Sequence, residues 1–436
     1  MKFYNRENEL EILNDIELKS ANEAKMTFLV GRRRIGKTAL IKESYKNSNF
    51  LYYFVSKKNE VLLCEEFVST TEAETSIKFF GNFTRFRDLF SYLMDVSKKR
   101  SFTLAIDEFQ EFYKVNTSIY SDMQNIWDAN KNESKMNLIL SGSIYSLMKK
   151  IFENNKEPLF GRADRKIYLK PFKVDILKQI YEDYYPEYSS ADLLSLYIIT
   201  GGVAKYVELF VNDKVYTHNN MIDYIFSPNS LFLEEGKNVL IEEFGREYAT
   251  YFSILSLISS SKTSRSEIES ILGKNIGGYL DKLENEYSVI KKVKPIFAKP
   301  GTRSQKYFID DNFLNFWFRY IFKYKSLIEI ENFKLLKKFI KTDFNIYSGH
   351  FLEKYFIEKL SLTDQFTEIG TYWESNNQNE IDIVAINEFT KKAMIAEVKL
   401  RHEKISIPKL KYKAKTLVAK LKNYDVEYKG FSLNDM

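Results

Sequence analysis

The stretch TFLVGRRRIGKTALI, residues 27–41, constrains the fold more than any other in this chain. It fits G-x-x-x-x-G-K-[ST] with an apolar strand before it and a helical pattern after it. Such a loop curls so that its backbone N–H groups face an anion. The residues concerned are Gly31, Arg32, Arg33, Arg34, Ile35, Gly36, Lys37, Thr38 and Ala39. Gly36 permits close approach, Lys37 brings a point charge to the β- and γ-phosphates, and Thr38 offers a hydroxyl to Mg²⁺. The N-terminus of the following helix favours the same negative charge. For the arginine triplet two uses stay open: pairing with acidic residues or DNA, or contact with the nucleotide.

The flanking sequence suits a strand–loop–helix setting. MTFLV (26–30), NFLYYFV (49–55), FTLAID (102–107) and NLILSGS (137–143) read as strands. KTALIKESY, RFRDLFSYLMDVSKK and IYSDMQNIWDANK read as the helices between them. This alternation predicts an α/β layer with a parallel sheet. Asp107 then ends a buried strand and is placed to hold Mg²⁺ through water. Glu108 beside it is the candidate to orient or deprotonate an attacking water. Ser141 or Ser143, at the end of the next strand, is a candidate γ-phosphate sensor. Arg162 and Arg165, expected after the sheet, are each candidates for an arginine finger or for a surface salt bridge.

Beyond this core, spanning 1–174, helical spacing predicts a lid over 175–245. Residues 246–312 read as three helices and two strands around a Pro-Gly turn, a winged helix-turn-helix. Ser264 and Glu267 there are spaced as a capping box. An aromatic helical connector follows over 313–344, then a C-terminal domain over 345–436 with a helix, strands and the basic helix KLKYKAKTLVAKLKNY. The wing carries Lys291, Lys292, Lys294, Lys299, Arg303 and Lys306, with Lys274 and Lys282 nearby. That density suits phosphate contacts, and a winged helix equally serves as a contact module for a protein partner.

These motifs together resemble the ATPases found mainly in archaea and also in bacteria, a branch of the AAA+/STAND P-loop NTPases. The resemblance is carried by FYNRENELEIL, GRRRIGKT, LAIDEFQ, LILSGS, PLFGR and TGGVAKYVELF, in order over most of residues 1–210. It implies ATP as the nucleotide and places Arg6 and Glu7 in a box near the base. The family usually has a proline where this chain has Ala204, so a looser Gly201-Gly202 turn is expected. The resemblance continues through YFIDDNFLNFWFR into a domain similar to restriction endonucleases. The expected fold class is therefore α/β: a P-loop NTPase core with helical lid, winged helix and C-terminal endonuclease-like α/β domain.

The C-terminal stretch EIDIVAINEFTKKAMIAEVKL, 380–400, sharpens this. Its two apolar-rich strands carry Glu380, Asp382, Glu397 and Lys399. Symmetric closure of the turn at 387–392 sets Asp382 opposite Glu397 and Glu380 opposite Lys399. Opposed Cβ atoms lie about 4.5–5.5 Å apart, where two carboxylates repel unless a cation or proton intervenes. Mg²⁺ held by Asp382 and Glu397 relieves the repulsion, with Lys399 orienting a bound water or steadying charge on phosphorus. Asp-x(n)-Glu-x-Lys is the pattern of the PD-(D/E)xK nucleases. Glu353, in the amphipathic helix GHFLEKYFIEKL, is placed where such nucleases often carry a further acidic ligand.

Composition closes off several alternatives. One cysteine, Cys64, excludes an internal disulfide and a cysteine zinc cluster. No apolar run approaches the roughly 18 residues of a membrane span, and no signal-peptide pattern opens the chain, so a soluble, cytoplasmic protein without membrane partners is expected. The net charge of +6 is modest, so nucleic-acid binding has to come from local patches. The favoured expectation is a Mg-ATP hydrolase coupled to a DNA-binding, DNA-cleaving domain. The competing ones are an ATP-dependent signalling switch and a winged-helix regulator. Oligomerisation is left open.

Overall fold

The structure is a computed structural model that describes residues 1–245, 248–299, 301–302, 304–374 and 378–436. The chain divides into two compact units, one of residues 5–170 and one of residues 171–436 joined by residues 1–4.

In the first unit, strands β1 (Lys25–Val30), β2 (Phe50–Phe54), β3 (Phe102–Asp107), β4 (Met136–Gly142) and β5 (Arg165–Tyr168) form one sheet in the order β2-β3-β4-β1-β5. Every neighbouring pair is parallel. Strands β3 and β4 are buried along their whole length, which is why they read as continuous apolar runs and not as alternating ones. Helices cover the sheet, among them Glu60–Glu74, Phe86–Lys99 and Ser118–Asn130. Phe67, Phe90 and Trp127 from these helices are fully buried. Each contributes on the order of 2–3 kcal/mol through the apolar area it removes from water. Arg165 does not follow the sheet as expected. It opens β5, an edge strand too short and polar to register as a strand in the sequence. Helix Glu60–Glu74, capped by Asn59, is a further element the apolar spacing did not disclose.

The order of strands matters for chemistry. Strand β4 lies between β3 and β1, so the loop after β1, Asp107 at the end of β3 and Ser141 near the end of β4 all gather at the carboxyl edge of the sheet. In open parallel sheets that edge is where ligands bind.

The second unit begins with helices Val174–Tyr184, Ser190–Thr200, Ala204–Asn212, His218–Ile225 and Phe232–Phe244. Gly201 and Gly202 both take positive φ, and a Cβ on Gly202 would lie 2.1 Å from the Phe172 carbonyl oxygen. The turn is closed by the Phe172 N–H donating to the Gly202 carbonyl at 2.8 Å. Glycine geometry and that bond shape the turn, with Ala204 where the family usually has a proline. A full capping box lies at Ser189 and Asp192. At Ser264 only half of one forms, with the side chain accepting from the Glu267 N–H.

Helices Tyr248–Ser259, Arg265–Leu272 and Gly277–Asp281 precede the antiparallel pair β6 (Ile290–Val293) and β7 (Lys306–Ile309). The strands are short and their connection is long. Pro300 of the expected Pro-Gly turn, and Arg303, lie outside the described residues. Helix Phe333–Ser361 runs unbroken for 29 residues, so the boundary expected between 344 and 345 falls inside one element.

The last sheet has the order β11-β10-β9-β8, from β8 (Glu368–Tyr372), β9 (Ile381–Asn387), β10 (Lys392–Val398) and β11 (Asp425–Phe431). Its first three strands are antiparallel in sequence, while β11 returns parallel to β10. The expected single basic helix is two short ones, Ile407–Lys413 and Lys415–Val418, which bury Leu410, Ala414 and Leu417 on the sheet. Ile296, from the segment after β6, is buried in the same core. Among the described residues no helix is long and apolar enough to cross a membrane.

Candidate functional site

The phosphate loop is built as its sequence requires. Arg34 takes φ of 68° and Gly36 φ of 99°, so the chain turns twice through the left-handed region before helix Lys37–Ser44 begins. The buried Lys37 folds back over the loop. Its ammonium donates to the carbonyls of Gly31 at 2.8 Å and Arg32 at 3.3 Å. Burial pulls its pKa below the usual lysine range, against the raising effects of Glu108 and Asp107. Thr38 Oγ1 donates to Asp107 Oδ2 at 3.0 Å. The same carboxylate oxygen accepts from the Tyr52 hydroxyl at 2.6 Å. Sequence reading missed Tyr52, whose register partner on β3 is Ala105. Only the pairing of β2 with β3 brings its hydroxyl to the acid.

Glu108 sits at φ of 54°, a conformation that is costly for a residue with a side chain. Its backbone N–H donates to Asp107 Oδ1 at 2.9 Å. Its Oε2 accepts from Ser143 Oγ at 2.7 Å and from the Gln110 amide. Ser141 Oγ and Gln110 Oε1 are buried and have no hydrogen-bond partner among the described residues. An unpaired buried acceptor or hydroxyl is costly, and both atoms lie at the carboxyl edge of the sheet. Hydroxyl, carboxylate and carbonyl oxygens make up the donor set here, which fits a hard cation such as Mg²⁺.

The other expected residues of this unit are placed as follows. Arg6 is buried, with its guanidinium donating to the Lys170 carbonyl at 2.7 Å and lying 3.5 Å from Glu9. Glu7 opens the first helix. Arg162 is gripped by Asp128 through three contacts of 2.7–3.1 Å and also donates to the Pro158 and Phe160 carbonyls. Of its two expected roles, the salt bridge is the one this arrangement realises. Arg165 lies 3.8 Å from Asp15.

In the second unit the β9–β10 hairpin has the expected register. Lys392 pairs with Asn387 and Ala396 with Ile383, so the next step sets Glu397 toward Asp382. The turn is formed by Asn387 Oδ1, which accepts from the N–H groups of Phe389 and Thr390. Lys399 bridges the two acids, with Nζ 3.1 Å from Asp382 Oδ2 and 3.6 Å from Glu397 Oε1. Asp382 Oδ2 also accepts from the Val398 N–H at 2.7 Å. Glu397 is completed by the Ser406 N–H at 3.2 Å and Lys413 at 3.3 Å. Glu380 pairs with Lys306 at 2.7 Å.

The two carboxyls are driven in opposite directions. Burial, then the charge of Glu353, raises Asp382 to about 6 despite Lys399. Burial would raise Glu397 too, but the Ser406 N–H, Lys399 and Lys413 outweigh it and lower its pKa. Glu353 therefore acts on Asp382 through its field, while its own carboxylate lies 3.6 Å from His350. It does not join a three-ligand set: among the described residues no three His, Cys, Asp or Glu side chains converge as a metal-holding group. Two carboxylates remain, a number that suits Mg²⁺, which keeps several of its waters.

Part of the basic surface around β6 and β7 is engaged within the chain. Lys291 pairs with Asp310 at 3.5 Å, Lys292 with Glu284 at 3.0 Å, and Lys306 with Glu380 while lying over the Trp373 ring. Lys274 donates to Thr250. Trp373 Nε1 donates to Ser304 Oγ at 2.8 Å, and Ile296 N–H to the Thr371 carbonyl. These bonds tie the segment between β6 and β7 to the last sheet, while Lys282, Lys294 and Lys299 are exposed.

A parallel sheet with a phosphate loop after β1 and an acid pair after β3 defines a P-loop ATPase domain of AAA+ type. Residues 3–210 match a family described as an ATPase domain predominantly from Archaea. Residues 317–412 match archaeal and bacterial proteins of unknown function. Over 407 residues the chain is 30% identical to the uncharacterized protein MJECL04 of Methanocaldococcus jannaschii, covering 91% of this chain and 87% of that protein. The chain belongs to the family of this methanogen protein and carries the archaeal-type ATPase domain at its N-terminal end. Among solved structures, the Walker-type ATPase PABY2304 of Pyrococcus abyssi aligns with a TM-score of 0.55 at 19% identity, covering 72% of this chain and 96% of that one. The ORC2 protein of Aeropyrum pernix, solved with ADPNP and ADP, aligns at 0.51 and 13%, covering 78% and 96%. At these identities the likeness concerns the fold.

Proposed function

We propose that this ATPase uses Mg-ATP to control a nucleic-acid-processing site in its C-terminal sheet, with DNA as the expected substrate. The arrangement that carries the reading is Asp382, Lys399 and Glu397 on one hairpin, with the two carboxyl pKa values pushed apart. Separated pKa values in adjoining groups are the usual means of assigning different proton roles. In the ATPase domain, Thr38 and Asp107 would hold Mg²⁺, and Gly31 to Ala39 would cradle the phosphates. Bound Mg²⁺ would supply charge neutralisation at the transferring phosphoryl group. Lys37 is positioned to exchange its two carbonyl partners for phosphate oxygens. Glu108 is the residue to orient and deprotonate water once released from Ser143 and Gln110, and Ser143 is then free to contact the γ-phosphate.

At the C-terminal site, Asp382 and Glu397 would hold Mg²⁺, and Lys399 would shift from them to a phosphate oxygen or a water. Glu353 tunes Asp382 from nearby. The three helices and β6–β7 support a winged-helix reading, and its docking on β8–β9 suits transmission of a nucleotide-dependent change. The domain limits proposed are 1–174, 175–245, 246–312, 313–344 and 345–436, with helix Phe333–Ser361 joining the last two.

A second reading, a signalling switch whose nuclease-like domain only binds, draws on one observation: Lys291, Lys292 and Lys306 are occupied by internal partners. Incubation of plasmid and linear duplex with Mg²⁺, with and without ATP, separates the two. Cleavage by the parent protein that disappears in Glu397→Gln supports a metal-dependent nuclease. Intact ATP hydrolysis with no cleavage under any condition selects the switch.

A further inference from the structure

A cleft of about 860 Å³ opens beside the C-terminal acid site, entirely within the second unit. Glu353 and Lys399 reach it, so it is the approach to those residues. Its walls come from helix Ser190–Thr200, the start of helix His218–Ile225, helix Phe333–Ser361 and the segment after β10. Three exposed cations line it: Lys341, Arg401 and Lys404. None of the three has a carboxylate partner among the described residues, in contrast to Lys291, Lys292 and Lys306. The lining also holds a polar pair, Ser195 Oγ with His218 Nδ1 at 3.0 Å, and the His218 ring lies 4.5 Å from that of Phe344. Uncompensated cations along a cleft supply the charge that a single-strand backbone follows, while Ser195 and Phe344 are themselves buried and pack its wall.

Size decides between strand states. The cleft falls in the range of small-ligand pockets, about 300–1,000 Å³. A few unpaired nucleotides fit such a space. A duplex, whose major groove alone is about 12 Å wide, does not.

We infer that this cleft binds single-stranded nucleic acid and delivers an unpaired phosphodiester, at a strand end or flap, to Asp382, Glu397 and Lys399. The inference rests on the reading of that hairpin as a nucleic-acid-processing site. It narrows the substrate from DNA in general to a strand without its complement.

The test is fluorescence anisotropy with the full chain in EDTA, where no cleavage occurs. A labelled 12-mer of deoxythymidine, the matching RNA and a 12-base-pair duplex are titrated at about 0.15 M salt. Single strands are expected to bind at least tenfold more tightly than the duplex. Lys341→Glu, Arg401→Glu and Lys404→Glu should each weaken single-strand binding severalfold. Neutral Gln variants should each reduce the salt slope by about 0.7, and thermal melting confirms that every variant folds. Lys422→Glu, which carries the same charge change outside the cleft, should have little effect. Equal or tighter duplex binding, no single-strand binding, or an equal loss in Lys422→Glu would overturn the inference. The DNA and RNA arms identify the sugar. Single-strand binding through the cleft without cleavage in Mg²⁺ would keep the cleft as the strand-binding site and overturn the delivery to the hairpin together with the nuclease reading.

Discussion

The two candidate sites use the same residue types, a lysine and two acids, in opposite ways. In the ATPase domain Lys37 rests on backbone carbonyls, while Asp107 and Glu108 are occupied by hydroxyls, an amide and an N–H. At the hairpin Lys399 rests directly on Asp382 and close to Glu397. A phosphate entering the first site meets a cation whose partners are weak dipoles. A phosphate entering the second has to break an ion pair. The first site thus holds its lysine on dipoles, and the second holds its lysine in an ion pair.

This contrast can be broken experimentally. The largest effect is expected from Lys37→Ala. Loss of a positioned donor to the transferring group should lower ATP hydrolysis on the order of 100-fold or more. Phosphate release is the readout, and retention within about twofold would remove Lys37 from the mechanism.

Next comes the pH dependence of the hairpin. Asp382 is raised from an ordinary 3.8 to about 6 in the folded chain. Below the unfolded value both states are protonated. Between the two values only the folded state holds the proton, so its contribution to stability declines as pH rises and is flat above about 6. The decline amounts to roughly 3 kcal/mol at most for a shift of this size. Denaturant unfolding of the parent and Asp382→Asn in EDTA, from pH 4 to 7, should show this slope in the parent and not in the variant. Parallel curves would mean that the hairpin site does not hold its acid as described.

A smaller effect is expected from Tyr52→Phe, which removes one of the hydroxyls on Asp107. A hydrogen bond to a charged group is worth about 1.5–3 kcal/mol, and partial replacement by Thr38 or water should leave the loss near the lower end. Calorimetric titration with Mg-ATP would register weaker binding. No change would assign Tyr52 to packing alone.

The smallest effect is expected from Arg162→Ala. Its pair with Asp128 is partly exposed and worth about 1 kcal/mol or less. Hydrolysis should stay within about twofold of the parent. A loss of tenfold or more would return Arg162 to the role of arginine finger and imply a partner subunit.

The legible parts of the fold share a physical basis. The loop at 31–38 depends on glycine conformations and on a lysine at fixed spacing. The central strands announce themselves because a parallel strand buried on both faces has to be apolar throughout. The hairpin register follows from a tight turn between two strands, a contact of short sequence range. Elements with little apolar content, such as β5 and β11, left no such trace.

Residue chemistry and short-range spacing were thus enough to determine a phosphate loop on a parallel sheet and an acid pair on a hairpin. What each charged side chain touches was decided by tertiary structure. Lys306 meets Glu380 and Trp373, Ile296 enters the core of the last sheet, and Arg162 meets Asp128, all across many intervening residues. A lysine in sequence is only a charge on a flexible stem. Whether it is a free contact for phosphate or half of an internal pair depends on which acid the folded chain brings within reach, and local spacing carries no record of that.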